Sequence, residues 1–273
     1  MISPVVDFDW VKAHWEQVVL ADSRWYLDGR SGRAKYEQGH IPGAVFVDLE
    51  AWLTGEGSAE SGRHPLPDPA VFARGMSELG IGQGETVVAY DDAGGVIAAR
   101  LVWMLRALGE NAALLDGGLQ SFRGPLHKGP ESRPTAKFST RPWPLDRLAD
   151  IVDASDLGNI VLDARNRDRF NGEFEPVDSR AGHIPGAINI PCRENLNADG
   201  TFLPAPLLQE RFQSAGVIDA AEVISYCGSG ITACHNLLAM EFVGLGRGRL
   251  FPGSWSQYSQ AKDRQISTGS QPK

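Results

Sequence analysis

The sequence predicts an α/β protein built from two copies of one module, each a mainly parallel sheet with helices on both faces. Three observations predict it. The hexapeptide Gly39-His40-Ile41-Pro42-Gly43-Ala44 recurs letter for letter as Gly182-His183-Ile184-Pro185-Gly186-Ala187. Three weaker echoes follow the same order: Tyr26-Leu27-Asp28 with Val161-Leu162-Asp163, Val87-Val88-Ala89-Tyr90 with Val223-Ile224-Ser225-Tyr226, and Leu115-Asp116-Gly117-Gly118 with Phe251-Pro252-Gly253-Ser254. Within each copy, short apolar runs alternate with helical patterns, which implies right-handed βαβ crossovers. Self-similarity in fixed order is the mark of tandem modules, here of about 130 residues each.

In chain order, strands are expected around Leu27, Val45, Val88 and Leu114, with a helix from Val96 to Leu108. The proline-rich stretch from Pro125 to Pro144 reads as a linker, giving a first domain over 1–130, a linker over 131–144 and a second domain over 145–273. Gly-His-Ile-Pro-Gly-Ala is turn chemistry, since glycine reaches positive φ and proline fixes the bend. His40 and His183 therefore read as structural, one in each copy.

The copies differ in spacing. Asp28 precedes His40 by 12 residues but Asp163 precedes His183 by 20, so eight extra residues are expected in the second copy, at 171–178. His40 precedes Tyr90 by 50 and His183 precedes Tyr226 by 43, so seven extra are expected in the first copy, within 55–64. Insertions fall in surface loops, where sites are built on a rigid scaffold.

Composition narrows the function. With 26 Lys+Arg against 34 Asp+Glu the net charge is −8, which argues against general nucleic-acid binding. The 42% hydrophobic and 22% charged fractions are those of a soluble globular protein. No apolar run approaches the roughly 18 residues of a membrane span. Met1-Ile2-Ser3-Pro4-Val5-Val6-Asp7 has neither a basic start nor an apolar core, so no secretory signal is expected. Cysteines at 192, 227 and 234 fit neither a zinc pattern nor a disulfide framework, and the expected compartment is the reducing cytoplasm.

One cysteine stands in a distinctive place. After the shared tyrosine the first copy reads Asp91-Asp92-Ala93-Gly94-Gly95, the second Cys227-Gly228-Ser229-Gly230-Ile231-Thr232. The apolar run before Cys227 is a strand, and Ala233, Leu237 and Met240 share one face of a following helix. Strand carboxyl ends form the ligand edge of an open parallel sheet. Two glycines let backbone N–H groups converge there, at a helix N-terminus, so an anionic sulfur is favoured. Cys-x5-Arg phosphatase chemistry needs an arginine where Ala233 stands, and is disfavoured. Cys192 and Cys234 read as small buried residues.

The duplicated Gly-His-Ile-Pro-Gly-Ala and the loop Cys-Gly-Ser-Gly-Ile-Thr-Ala resemble the tandem rhodanese family of sulfurtransferases over essentially the whole chain. The loop looks like that of the 3-mercaptopyruvate branch, since thiosulfate rhodaneses more often carry basic residues just after the cysteine. The resemblance implies an inactive first domain, a catalytic second one and a site in the cleft between them. It implies that Cys227 takes sulfur from a small anionic donor as a persulfide and passes it to cyanide, a small thiol or a thioredoxin-like protein, with no metal or organic cofactor. Thiosulfate is the alternative donor. By family position Arg169 binds the donor's anionic group, beside loop residues Gly228, Gly230, Ile231 and Thr232. Ser229, His64 and Glu50 match a serine–histidine–acid relay. The family's second arginine ends a Glu-Pro-Arg step, which here reads Glu175-Pro176-Val177; Arg180 lies nearby as a substitute.

Overall fold

The computed structural model describes residues 1–270. Contacts divide the chain into two units: residues 1–55, 67–143 and 196–202 form the first, and residues 56–66, 144–195 and the chain from 203 onward form the second.

In the first unit the order is β1 (Val5–Val6), α1 (Phe8–Ala13), β2 (Val18–Asp22), α2 (Gly32–Gln38), β3 (Val45–Phe46), α3 (Pro69–Glu78), β4 (Thr86–Tyr90), α4 (Ala99–Ala107) and β5 (Ala112–Leu115). The five strands pair in parallel in the order β1-β5-β4-β2-β3. Every residue of β2 and β5 is buried, the signature of strands covered on both faces. Side-chain caps start the helices: Asp7 accepts from Trp10 N–H, Ser31 from Ala34 N–H, and Asp68, followed by Pro69, from Ala70 N–H.

The second unit contains β6 (Ile160–Asp163), α5 (Arg167–Asn171), β7 (Ile188–Asn189), α6 (Ala205–Ser214), β8 (Val223–Tyr226), α7 (Ala233–Phe242), β9 (Arg249–Leu250) and α8 (Ser254–Tyr258). Its parallel sheet has the order β7-β6-β8-β9. Leu148 bridges Leu250 in parallel, as Val5 of β1 pairs Leu114 in the first unit.

The duplication is deeper than the letters. Arg24 clamps Asp22 and donates to Gly39 O at 2.8 Å; Arg165 clamps Asp163 and donates to Gly182 O at 2.7 Å. Tyr90 Oη accepts from Ile41 N–H and Tyr226 Oη from Ile184 N–H. These contacts correct the expected register. Asp22, not Asp28, is the counterpart of Asp163, and the strand is Val18–Asp22, while Leu27 is exposed. From this aspartate to the repeated histidine is 18 residues in the first copy and 20 in the second, so the expected eight-residue excess is two. Loop length has moved across the helix instead. His40 stacks on Tyr36, four residues back, whereas His183 stacks on Phe170, thirteen back. The second copy thus spends its longer loop after α5, over 172–182. The seven-residue excess of the first copy holds: α3 and α6 both begin 21 residues before the shared tyrosine, so it lies ahead of α3.

Helix α4 starts at Ala99 rather than Val96, because 93–98 belong to a loop wrapped around Asp91. Residues 131–143 form no helix or strand and run along the first unit, where Lys137 O accepts from Gln83 N–H, Ala136 N–H donates to Ser77 O and Phe138 is buried. Among the described residues no helix is long and apolar enough to cross a membrane.

Candidate active site

Cys227 follows β8, the strand held between β6 and β9, and so stands at the carboxyl edge of the second sheet. Its Sγ accepts from Gly230 N–H at 3.1 Å. Gly230 has φ +79°, and a β-carbon there would lie 2.6 Å from Pro252 O, so only glycine closes this turn. The loop is pinned from one side. Trp255 N–H donates to Cys227 O at 3.0 Å, Ser256 N–H to Gly228 O at 2.8 Å, and Cys227 N–H to Ser254 Oγ at 3.2 Å. Ser254 itself has φ +52°, strained for a residue with a β-carbon, and its hydroxyl donates to Phe251 O at 2.9 Å.

The first copy shows what such a loop does with an anion. Asp91, at the position of Cys227, accepts from Ala93, Gly95, Ile97 and Ala98 N–H groups at 2.7–2.9 Å. Leu119 N–H donates to Asp91 O as Trp255 N–H does to Cys227 O, and Gly118 takes φ +56° where Ser254 has +52°. The frame is common to both copies. In the first its amides are filled by a resident carboxylate; in the second it presents sulfur.

Two guanidinium groups flank the cysteine loop. A β-carbon on Gly228 would lie 3.3 Å from Arg169 Nη1 and 3.5 Å from Arg63 Nη2. Carboxylates hold both arginines from behind. Glu175 accepts from Arg169 at 3.1 and 2.6 Å and from Arg165 at 3.3 Å, while Asp178 accepts from Arg169 at 3.0 Å and from Arg63 at 2.7 Å. Arg63 N–H donates to Ser256 Oγ at 2.9 Å. Arg169 Nη1 and Arg63 Nη2 are thus the two atoms nearest to where a side chain on Gly228 would begin. A groove of about 390 Å³ beside them is lined by Arg63, Asp178, Ser256 and Gln260 among others, within the range of small-molecule sites.

Arg63 was not anticipated. It lies next to His64 in a loop whose fold placement the sequence does not state. Arg180, the expected substitute, is committed elsewhere: its guanidinium donates to the carbonyls of Ser259, Tyr258, Ala261 and Arg264. It holds the chain around α8 together.

Ser229 Oγ and His64 Nδ1 share a 2.8 Å hydrogen bond, with both residues buried. Glu50 lies in the first unit, where it accepts from Trp25 Nε1 at 3.1 Å. Ile231 is buried in the loop and Thr232 immediately precedes α7. Cys234 is buried in α7 with its thiol 3.4 Å from Gly230 O. Burial pushes the Cys192 thiol up to about 12, so it stays protonated. The Tyr226 hydroxyl is raised well above its ordinary value, first by burial, and stays neutral beneath the loop.

The chain is similar to known proteins along most of its length. The Rhodanese-like domain family matches twice, over residues 7–124 and 145–261. A Pseudomonas aeruginosa protein named as a 3-mercaptopyruvate sulfurtransferase is 40% identical over 269 residues, covering 92% of this chain and 93% of its own. A Mycobacterium tuberculosis protein named as a thiosulfate sulfurtransferase is 40% identical over 262 residues, covering 93% and 92%. The solved 3-mercaptopyruvate sulfurtransferase of Leishmania major superposes with a TM-score of 0.84 at 30% identity, covering 93% of this chain and 74% of that one. With two domains matched and relatives aligned along nearly its full length, the chain belongs to the rhodanese-like family and is a sulfurtransferase.

Proposed function

We propose that the donor is 3-mercaptopyruvate and that its sulfur passes through a Cys227 persulfide to a thiophilic acceptor. The observation that carries the choice of donor is the Ser229–His64 hydrogen bond two residues from the nucleophile. In the first half-reaction the Cys227 thiolate attacks the donor sulfur. The S–S bond forms, the donor C–S bond breaks, and its electron pair leaves on carbon as the enolate of pyruvate. That enolate needs a proton or a polarised ketone, which a buried serine–histidine pair supplies. Thiosulfate would leave as sulfite and need neither.

Arg169 and Arg63 bind the donor carboxylate, each held in place by Asp178 behind it. In the second half-reaction cyanide, a small thiol or a thioredoxin-like thiol attacks the outer sulfur and returns Cys227 to the thiolate. The compartment this chemistry suits is a reducing one such as the cytoplasm, where the Cys227 thiol stays reduced between turnovers.

A second reading, with thiosulfate as main donor, is favoured by the same arginine pair, which suits a sulfonate as well as a carboxylate. The deciding experiment incubates the protein with each donor, follows the intact mass for one added sulfur, and compares kcat/KM. Mercaptopyruvate is expected to load wild-type protein and to turn over faster. Cys227→Ser should abolish loading, while Cys192→Ser and Cys234→Ser load normally. No added sulfur from either donor would sink the reading.

A further inference from the structure

We propose that His40, His127 and Glu131, in the first unit and outside the sulfur-transfer machinery, bind a divalent transition metal of the zinc type. One potential ligand atom from each lies within 4.8 Å of the others. Backbone pairing brings the two imidazoles together. His40 and His127 are directly opposed in an antiparallel bridge, exchanging both hydrogen bonds: His40 N–H to His127 O at 3.0 Å and His127 N–H to His40 O at 2.9 Å. Opposed residues of such a pair project their side chains to the same face. Glu131 follows His127 by one helical-type spacing and contacts its Nδ1.

The buried histidine is set up as a ligand. His40 is fully buried, stacked on Tyr36, and its Nδ1 lies 2.9 Å from Tyr36 O. A carbonyl accepts only from N–H, so the proton sits on Nδ1 and the lone pair on Nε2. Nε2 is buried and makes no hydrogen bond to the described residues. A metal-bound histidine has this arrangement, with its distal nitrogen donating to a backbone carbonyl. The Glu131 backbone is tied to the same aromatic ring, its N–H donating to Tyr36 Oη at 3.0 Å.

The second copy supplies a comparison within the molecule. His183 stacks on Phe170, its Nδ1 lies 2.8 Å from Phe170 O, and its Nε2 too is buried without a partner. There the opposed residue in the bridge is Ser267. The orphan nitrogen is common to both copies, but the first opposes its histidine with a second imidazole where the second has Ser267.

Two imidazoles and one carboxylate suit zinc, nickel, copper or cobalt, and not magnesium or calcium. Bonds of about 2.0–2.1 Å place ligand atoms on one tetrahedral ion roughly 3.4 Å apart. His127 and Glu131 have side chains 63% and 30% exposed, so they can close on the fixed His40. The ion would clip the segment around 127–131 onto the repeated hexapeptide, with its fourth position open to water.

The test uses full-length, tag-free protein carrying Cys227→Ser, so that the loop thiolate takes no metal. Zinc added alone and followed by titration calorimetry and by metal analysis after gel filtration should bind at one equivalent and raise the melting temperature. Adding His127→Ala, a substitution at an exposed side chain, should remove that equivalent, and Glu131→Gln should weaken it at least about tenfold. Cobalt should give a four-coordinate visible spectrum without a thiolate charge-transfer band. Failure of the Cys227→Ser protein to bind zinc, or equal binding after His127→Ala, would overturn the proposal. Neither result touches the sulfurtransferase assignment.

Discussion

His64 and Ser229 are 165 residues apart in the chain and joined by a 2.8 Å hydrogen bond. Ser229 lies in the Cys227 loop, and both partners are buried, so on the proposed reading the hydroxyl held by the imidazole hands over a proton at low reorganisation. Ser229→Ala should therefore lower kcat/KM with 3-mercaptopyruvate by about a hundredfold. With thiosulfate, whose leaving group needs no proton, the change should stay within a few fold. Steady-state rates with both donors check this; equal losses would remove the relay.

On the proposed reading, Arg63 takes the place of the second donor-binding arginine. Removing one charged donor to a bound anion costs about 1.5–3 kcal/mol, so Arg63→Ala should raise the donor KM roughly tenfold to a hundredfold. The cyanide KM should be unchanged, because the persulfide has by then released the donor. Arg169→Ala should behave alike, whereas Arg180→Ala should lower thermal stability, since its guanidinium holds four carbonyls near α8.

Asp91 satisfies four backbone N–H groups with one carboxylate. Asp91→Ala leaves those donors without acceptors, and each bond to a charged group contributes about 1.5–3 kcal/mol. A loss of about 3 kcal/mol or more in unfolding free energy is expected, with sulfur loading of Cys227 retained in the folded protein. Urea denaturation monitored together with mass spectrometry reads both.

Acid stability should turn on His183. Burial lowers its ionisation below the ordinary 6.5, because a second proton would sit on Nε2 with no acceptor. Between the lowered folded value and 6.5 the unfolded chain binds more protons, so stability rises with pH there. Stability should thus be full above about 6.5 and fall as pH drops below it. Urea midpoints from pH 7.5 to 5.0 test the trend, and a proton-NMR titration of the His183 ring with a midpoint at or above 6.5 would contradict it.

Much of this was legible in the sequence because duplication exposes itself as repeated letters. The hexapeptide marked the two modules, and the contrast of Asp91 with Cys227 marked which of them carries a thiol at the end of its central strand. The register around Asp22 was misread for a physical reason. What both copies keep is an aspartate–arginine clamp on a glycine carbonyl, with only Asp-x-Arg in common, while the letters around Asp28 suggested a better match. Arg63 escaped because its role depends on where an irregular loop lands, and no periodicity reports that. That Glu175 and Asp178 hold the Arg169 and Arg63 guanidinium groups beside Gly228 follows from the folded loop and not from any spacing in the sequence.

Ser254 sets backbone strain against buried hydrogen bonds at a single residue. The first copy has Gly118 at this position with the same positive φ, at ease there. In the second copy serine bears the strain, of order 1 kcal/mol, and its hydroxyl accepts from Cys227 N–H. Ser254→Gly would relieve that strain but strip Cys227 N–H and Phe251 O of their partner, at about 1–3 kcal/mol for each buried group left unsatisfied. It would also loosen the backbone that aims the sulfur. The glycine that suits the first copy would thus cost the second more than it returns, and an effort to stabilise this protein should leave Ser254 in place.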